Sequence, residues 1–313
     1  MKAAIVAQAG QNAPVLGDFE APVAGADEAI VQVDAAAISP LVRARAAGTH
    51  YSSRGQFPFV AGVDGVGRLD DGRRVAFALP RAPYGSMAER VPVPLAHIVP
   101  LPDGLDAVAA AALINPGMSS WAALTERARL ARGETVLING ATGAAGSLAV
   151  QVARHLGAAR VIATGRNQAA LAALGADATI LLDGDGDALE TQFKAEFARG
   201  IDVVIDYLWG PSAERLLIAG AKAGPDAVPI RFVQVGSVGG GEINLPGAVL
   251  RSSAIELMGS GIGSIPLARL VASIGGVLGA AASDGFTLPA RAMPLAEVAK
   301  AWALERERVV LTL

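Results

Sequence analysis

This 313-residue chain predicts an α/β protein in which a doubly wound parallel sheet is inserted between two β-rich stretches. Three observations predict it. The first hundred residues hold short β-prone runs separated by Pro and Gly clusters such as Ala13-Pro14 and Asp70-Asp71-Gly72. From about residue 105 to about residue 260, strand-like and helix-like segments alternate. The strands in that stretch are continuously apolar, as in Val136-Leu137-Ile138 and Val203-Val204-Ile205. Such strands are buried on both faces, which requires a parallel sheet covered by helices on both sides.

Taken in order, residues 2–7, 29–34, 74–79 and 88–93 read as strands of a barrel or sandwich-like module. The alternating part begins with a strand at 135–139 and a helix at 144–156. It continues with strand 159–164, helix 168–174, strand 179–182, helix 187–198, strand 202–207, helix 212–223 and strand 231–235. A last strand falls at 253–258. The tail reads as a small-residue helix at 266–282, a turn at 290–294 leading into 295–304, and a final strand at 308–313. No internal repeat stands out.

Composition narrows the function classes. Hydrophobic residues make up 52% and charged residues 18%, which excludes a disordered chain, and with aromatics at 4% the core must be aliphatic. Lys plus Arg number 26 against 29 Asp plus Glu, a net charge of −3. No basic excess exists to draw nucleic acid or an anionic membrane. The longest apolar run, 107–114, is about half the roughly 18 residues needed to span a bilayer. Gln8, Gly10 and Gln11 follow the first apolar residues too soon for a signal peptide, and a cytoplasmic location is expected. There is no cysteine, so neither a disulfide nor a thiolate metal site is available. The three histidines, His50, His97 and His155, are far apart and lack HxH or HExxH spacing, so no metal is expected.

The strongest local motif is Asn139-Gly140-Ala141-Thr142-Gly143-Ala144-Ala145-Gly146, directly after a buried strand and directly before an amphipathic helix. Glycines there permit a tight turn and close approach of the backbone to a pyrophosphate, and the first helical amides point at the anion. Gly140, Thr142, Gly143, Ala144 and Ala145 are the candidate cofactor contacts. About 20 residues on, where an NAD protein places an acid on the ribose, this chain has Thr164-Gly165-Arg166-Asn167. With no carboxylate there, Gly165, Arg166 and Asn167 fit a ribose carrying a 2′-phosphate, and Arg166 can pair with it through its planar fork. The expected cofactor is NADPH.

Further segments in order, Val60 to Gly67, Leu101-Pro102-Asp103-Gly104 and Asn115-Pro116-Gly117-Met118-Ser119-Ser120-Trp121, complete a pattern. Together with the glycine turn they resemble the medium-chain dehydrogenase/reductase superfamily, in its zinc-independent quinone oxidoreductase branch, over essentially the whole chain. The resemblance implies a GroES-like catalytic domain, residues 1–113 and 263–313, with a Rossmann domain, residues 114–262, inserted in it. It implies that cofactor and substrate meet between the two. It also implies a homodimer through the edge strand at 253–258, where Ile255 and Leu257 invite pairing.

Against the zinc-dependent alcohol dehydrogenases of that superfamily the chain departs at each ligand. Their first cysteine would fall near Ser39-Pro40, their His-Glu pair at Val63-Asp64 and their last cysteine near Asn115. The four-cysteine lobe for structural zinc is missing. Zinc-assisted alcohol oxidation is therefore not expected. Hydride transfer to an acceptor already polarised by conjugation is expected instead, with a quinone or an α,β-unsaturated carbonyl as the small-molecule partner.

Some family members place a tyrosine proton donor after the first catalytic helix, and the matching stretch here is Gly48-Thr49-His50-Tyr51. Tyr51 or His50 is then the candidate donor, or orders the substrate. The resemblance further implies Asn115 and Ser119 near the nicotinamide, and Gly236 and Ser237 near its ribose. Leu208 stands at the carboxyl edge of the sheet, and Gly261 is expected against the nicotinamide amide through its backbone. Two other readings keep the cofactor: reduction of a simple ketone or aldehyde, or a non-catalytic NADPH-sensing protein.

Overall fold

The computed structural model describes residues 1–11, 13–50, 53, 56–183, 186–305 and 307–313. The chain divides into two units, Met1–Met118 with Leu267–Leu313, and Ser119–Pro266.

The first unit opens with β1 (Lys2–Val6), β2 (Val15–Asp18), β3 (Glu28–Ala37), α1 (Pro40–Ala47), β4 (Phe59–Val60), β5 (Asp64–Arg68), β6 (Arg74–Ala78), β7 (Arg90–Pro94) and β8 (Ile98–Pro100). Helix α2 (Ala107–Ala122) follows and runs into a π-helical turn, Ala123–Arg127. Strand β3 alternates buried Val31 and Val33 with exposed Gln32, the pattern of a strand with one face on a core. Helix α1 has no apolar stripe, and only Val42 and Ala46 are buried. Its ends define it: the Ser39 hydroxyl accepts the Val42 amide at 3.2 Å, Pro40 starts the first turn, and Gly48 closes it in the left-handed conformation.

The second unit carries β9 (Thr135–Asn139), α3 (Ala144–His155), β10 (Arg160–Gly165), α4 (Gln168–Ala172), β11 (Ala178–Leu181), α5 (Gly186–Ala198), β12 (Val203–Asp206), α6 (Gly210–Ala223), β13 (Ile230–Gln234), α7 (Gly247–Arg251) and β14 (Ile255–Gly259). The chain then returns to the first unit with α8 (Leu267–Asp284), β15 (Arg291–Pro294), α9 (Val298–Ala303) and β16 (Val309–Thr312).

In the first unit a three-stranded sheet, β2-β1-β4, and a seven-stranded sheet share one core. The larger sheet runs β15-β16-β3-β5-β6-β8, with β7 also paired to β3. Val6, Val31, Phe77, Met87, Val91, Trp302 and Leu311 fill the space between. The second unit is a six-stranded parallel sheet, β11-β10-β9-β12-β13-β14. The chain runs outward from β9 through β10 and β11, then returns to lay β12 on the other side of β9. That reversal creates the crevice at the carboxyl ends of β9 and β12 where ligands bind in doubly wound sheets.

Several expectations need correction. Residues 107–122, to which the sequence pattern assigns no element, form helix α2, which continues through Pro116; the units divide at Met118 and Ser119 inside it. For the same reason the longest apolar stretch exceeds the one expected. Ala107–Arg127 and Leu267–Asp284 are each long and apolar enough to cross a membrane by length and composition. In α8 the apolar residues Leu270, Val271, Ile274, Val277 and Leu278 are buried in the protein's own core. The turn expected at 290–294 is strand β15, parallel to β16. His97 lies in a one-turn helix, Leu95–His97, with its Nδ1 3.0 Å from the Leu79 carbonyl. On β14, Ile255 is buried in the core and only Leu257 of the expected pair faces out.

One buried acid in the first unit stands apart. Asp64 on β5 is 2% exposed, and neither of its carboxylate oxygens has a hydrogen-bond partner. Arg308 directs its guanidinium to the carbonyls of Ile38, at 3.2 Å, and Ala112, at 2.9 Å. Burial pushes the Asp64 carboxyl up to about 7, with the Arg308 charge pulling the other way. The folded state therefore holds a proton that the unfolded state has released between about pH 4 and pH 7, so stability is lost as pH rises through that window. The contribution is roughly 4 kcal/mol at full ionisation. Asp64→Asn should flatten the fall in melting temperature between pH 5 and pH 8; a variant that follows the wild-type slope would contradict this account.

Candidate functional site

The carboxyl ends of β9, β10 and β12 each finish on a polar residue that the sheet buries completely: Asn139, Thr164 and Asp206. Their side chains satisfy one another. The Thr164 hydroxyl donates to Asn139 Oδ1 at 2.6 Å and accepts the Gly140 amide at 3.2 Å. Asn139 Nδ2 donates to Asp206 Oδ1 at 2.8 Å and to the Ser212 hydroxyl at 2.9 Å. Asp206 also accepts the amides of Leu208, at 3.0 Å, and Trp209, at 3.1 Å. Burial raises the Asp206 carboxyl above its ordinary value, and the Leu208, Asn139 and Trp209 donors pull it back. Every partner donates to it, the arrangement an ionised acid requires.

This network docks the glycine turn. The Ala141 amide donates to the Thr164 carbonyl at 2.8 Å, beside the Gly140 bond to the Thr164 hydroxyl. Gly140 turns in the left-handed conformation, at φ +85°, with the Leu208 side chain packed where its Cβ would stand. Helix α3 then starts so close to the turn that a Cβ on Gly146 would lie 2.3 Å from the Gly140 carbonyl oxygen. No side chain caps α3 at Gly143, so its first amides are left to an external acceptor. A Cβ on Gly143 would meet nothing nearer than 3.6 Å, which leaves the approach to those amides clear. The residues present thus fit a pyrophosphate.

On the other side of the turn, the Ser120 hydroxyl donates to the Ala145 carbonyl at 2.8 Å and lies 2.8 Å from the Tyr207 hydroxyl. Tyr207 is nearly fully buried, and burial raises its phenol far above the ordinary range. It is a fixed neutral group. Trp209 follows at φ +58°, ψ −156°, a region that glycine alone enters without strain, and Asp206 holds it there by both carboxylate oxygens at 3.1 Å.

The structure brings Gly140, Thr142, Gly143, Ala144, Ala145, Gly165 and Leu208 together around the carboxyl ends of β9 and β10. Arg166 is exposed beside them, whereas Asn167 uses its Oδ1 to cap α4 through the Ala170 amide at 3.0 Å. Gly236 packs against the Tyr207 backbone at the end of β13, and Ser237 is exposed in the glycine-rich loop after it. Gly261 lies in a separate turn closed by Ser264, its amide donating to the Ser264 hydroxyl at 2.8 Å. Ser119 and Asn115 sit on α2, Ser119 in the second unit and Asn115 in the first. His50 also belongs to the first unit, just after α1; burial, then the Arg45 charge, lowers its imidazole below the ordinary value. Tyr51 lies outside the described residues.

Sequence reasoning placed Tyr207 at the carboxyl edge of the sheet but did not single out Asp206, Thr164 or Ser120. The available signal was a polar residue ending an otherwise apolar strand, as in Val203-Val204-Ile205-Asp206. At the zinc-ligand positions of the related dehydrogenases, Ser39 is buried as the cap of α1 and Val63 is buried without a donor atom. Among the described residues no group of three or more His, Cys, Asp or Glu could hold a metal ion.

Removing Asp206 would strand two backbone amides and the Asn139 side chain in a buried site, at roughly 1–3 kcal/mol for each unsatisfied group. Asp206→Ala should therefore lose about 3 kcal/mol or more in urea unfolding. A loss within about 0.5 kcal/mol of wild type would show that the network does not carry the turn.

Comparison with known proteins agrees with this architecture. The zinc-binding dehydrogenase family profile matches residues 144–273. A probable NADPH-dependent quinone reductase of Emericella nidulans is 29% identical, over 96% of this chain and 96% of its own. The crystal structure of the quinone oxidoreductase of Thermus thermophilus, described with its NADPH complex, superposes with a TM-score of 0.82 at 28% identity, covering all of both chains. A putative inactive phenolphthiocerol synthesis polyketide synthase of Mycobacterium tuberculosis is 34% identical over 39% of the chain, which spans 8% of that protein's length. Over its whole length the chain is thus similar to proteins described as quinone reductases and quinone oxidoreductases, and its central part matches the zinc-binding dehydrogenase family.

Proposed function

We propose that the protein is an NADPH-dependent oxidoreductase that reduces a quinone or an α,β-unsaturated carbonyl compound. The observation that carries this reading is the uncapped amino terminus of α3 on its glycine turn, next to a strand end that offers Gly165 and Arg166 and no carboxylate. The first amides of α3, at Ala144 and Ala145, hold the pyrophosphate, with Gly143 at the open approach to them. Arg166 meets the 2′-phosphate. Leu208, Gly236, Ser237, Gly261, Asn115 and Ser119 complete the cofactor contacts. When bound, NADPH supplies a hydride.

The chain's own residues then position the acceptor and provide hydrogen bonds to the conjugated oxygen on which the electron pair ends. That oxygen takes up one proton. His50 is a poor source for it: with its imidazole below the ordinary value it is neutral at pH 7 and serves to orient the acceptor. Tyr51 or water supplies the proton. The whole-length likeness to a quinone reductase of Emericella nidulans and a quinone oxidoreductase of Thermus thermophilus supports the choice of acceptor.

Nicotinamide absorbance, followed over a panel of quinones, enones and simple aldehydes, tests the reading. NADPH should be oxidised by quinones or enones and little by aldehydes, and Arg166→Ala should weaken NADPH up to about fivefold while leaving NADH nearly unchanged. Tyr51→Phe should lower kcat by roughly a hundredfold if the phenol is the donor, whereas His50→Ala should raise KM more than it lowers kcat. No turnover with any member of the panel, or faster turnover with NADH, would refute the assignment.

The assembly we propose is a homodimer formed by pairing of β14 with its copy. β14 is an edge of the parallel sheet, and its Leu257 is 38% exposed. Sedimentation should give twice the chain mass, and Leu257→Lys should shift it toward monomer; a monomeric wild type would rule the dimer out.

A further inference from the structure

Gly165 ends β10 at the position where a dinucleotide-binding sheet carries the acid that binds a ribose 2′-hydroxyl. Its φ lies outside the left-handed region, so the backbone does not call for glycine here. Space does. A Cβ at Gly165 would stand 2.6 Å from Thr142 Cγ2, 3.0 Å from Thr142 Oγ1 and 3.4 Å from Leu171 Cδ2.

Thr142 is not free to withdraw as a unit. The residues before it are pinned to β10 by the Gly140 amide on the Thr164 hydroxyl and the Ala141 amide on the Thr164 carbonyl. Thr164 is in turn fixed by Asn139. A β-branched side chain carries two γ atoms, so one rotation of Thr142 exchanges one contact for another more readily than it clears both.

We propose that Thr142 is a specificity-determining residue: seated over Gly165, it bars any side chain, and so any carboxylate, from the end of β10. Selection against NADH-type recognition is then steric and built into the glycine turn. Arg166 adds attraction for the 2′-phosphate but is not what excludes the acid. The inference rests on the NADPH reading above and names the device behind it.

A charge change alone therefore cannot convert the cofactor preference. Conversion requires an acid at 165 together with removal of the γ atoms at 142. Dissociation constants for NADPH and NADH, read by fluorescence titration without substrate, compare wild type, Gly165→Asp, Thr142→Ala and the double variant. Gly165→Asp alone should lose NADPH by roughly tenfold or more without gaining NADH. The double variant should bind NADH roughly tenfold tighter than Gly165→Asp does.

Thermal melts of Gly165→Ala, Thr142→Ala and their combination give an independent readout on milder variants. Gly165→Ala should lower the melting temperature by about 3 °C or more, and Thr142→Ala should restore most of that loss. Additive melting shifts, or NADH binding by Gly165→Asp as tight as by the double variant, would overturn the interlock. A wild type that binds NADH as tightly as NADPH would instead overturn the NADPH reading on which it rests.

Discussion

The side-chain amide of Asn139 is the interaction on which the second unit's site depends. It sits at the centre of three parallel strand ends, where helical turns depart and ladder hydrogen bonding stops. One oxygen and one nitrogen serve three neighbours: Thr164 as donor, Asp206 and Ser212 as acceptors. In a dry interior each of these bonds is strong, and each group would be costly if left alone. The same network fixes the glycine turn through Thr164 and the Trp209 turn through Asp206. Both turns flank the crevice, so a single buried amide sets the geometry of its two walls.

Asp206 and Asp64, the two buried acids among the described residues, show how far environment decides a carboxyl's role. Asp206 is surrounded by donors that offset its burial, and it holds backbone in a conformation that a tryptophan would not adopt by itself. Asp64 has no such donors, and the neighbouring Arg308 gives its own hydrogen bonds to two carbonyls. Its carboxyl accordingly rises toward neutrality. The first acid organises a site, while the second makes the β-rich unit sensitive to pH.

What the sequence made legible follows from which forces leave a local trace. Continuous apolar strands and helical alternation are local, and they placed every strand of the parallel sheet to within two residues at each end. The glycine turn was legible because close approach leaves no alternative residue at Gly146. Helix α1 escaped because its signal lies in its caps and not in a stripe, and α2 escaped because a proline that tertiary packing tolerates reads as a terminus. Asn139, Thr164 and Asp206 were visible as residues, but their partnership spans strands far apart in sequence, and periodicity carries no information about it. The packing of Thr142 on Gly165 is likewise a contact between a turn and a strand end, readable only in three dimensions.

That contact bears on how a chain of this composition discriminates between cofactors. Only 18% of its residues are charged, and Arg166, the cation beside the strand end, is exposed to solvent. An exposed pair contributes about 0–1 kcal/mol, and salt weakens it over a screening length of roughly 8 Å under physiological conditions. The overlap of a β-carbon with the half-buried Thr142 side chain is not screened, and the turn that carries this threonine is tied to the sheet by the amides of Gly140 and Ala141. On the proposed reading, attraction from Arg166 would vary with ionic strength, whereas the packing of Thr142 on Gly165 would hold at any salt concentration. In a protein whose interior is built from small aliphatic side chains, packing is the more dependable way to keep a carboxylate out of the strand end, and the glycine turn supplies it.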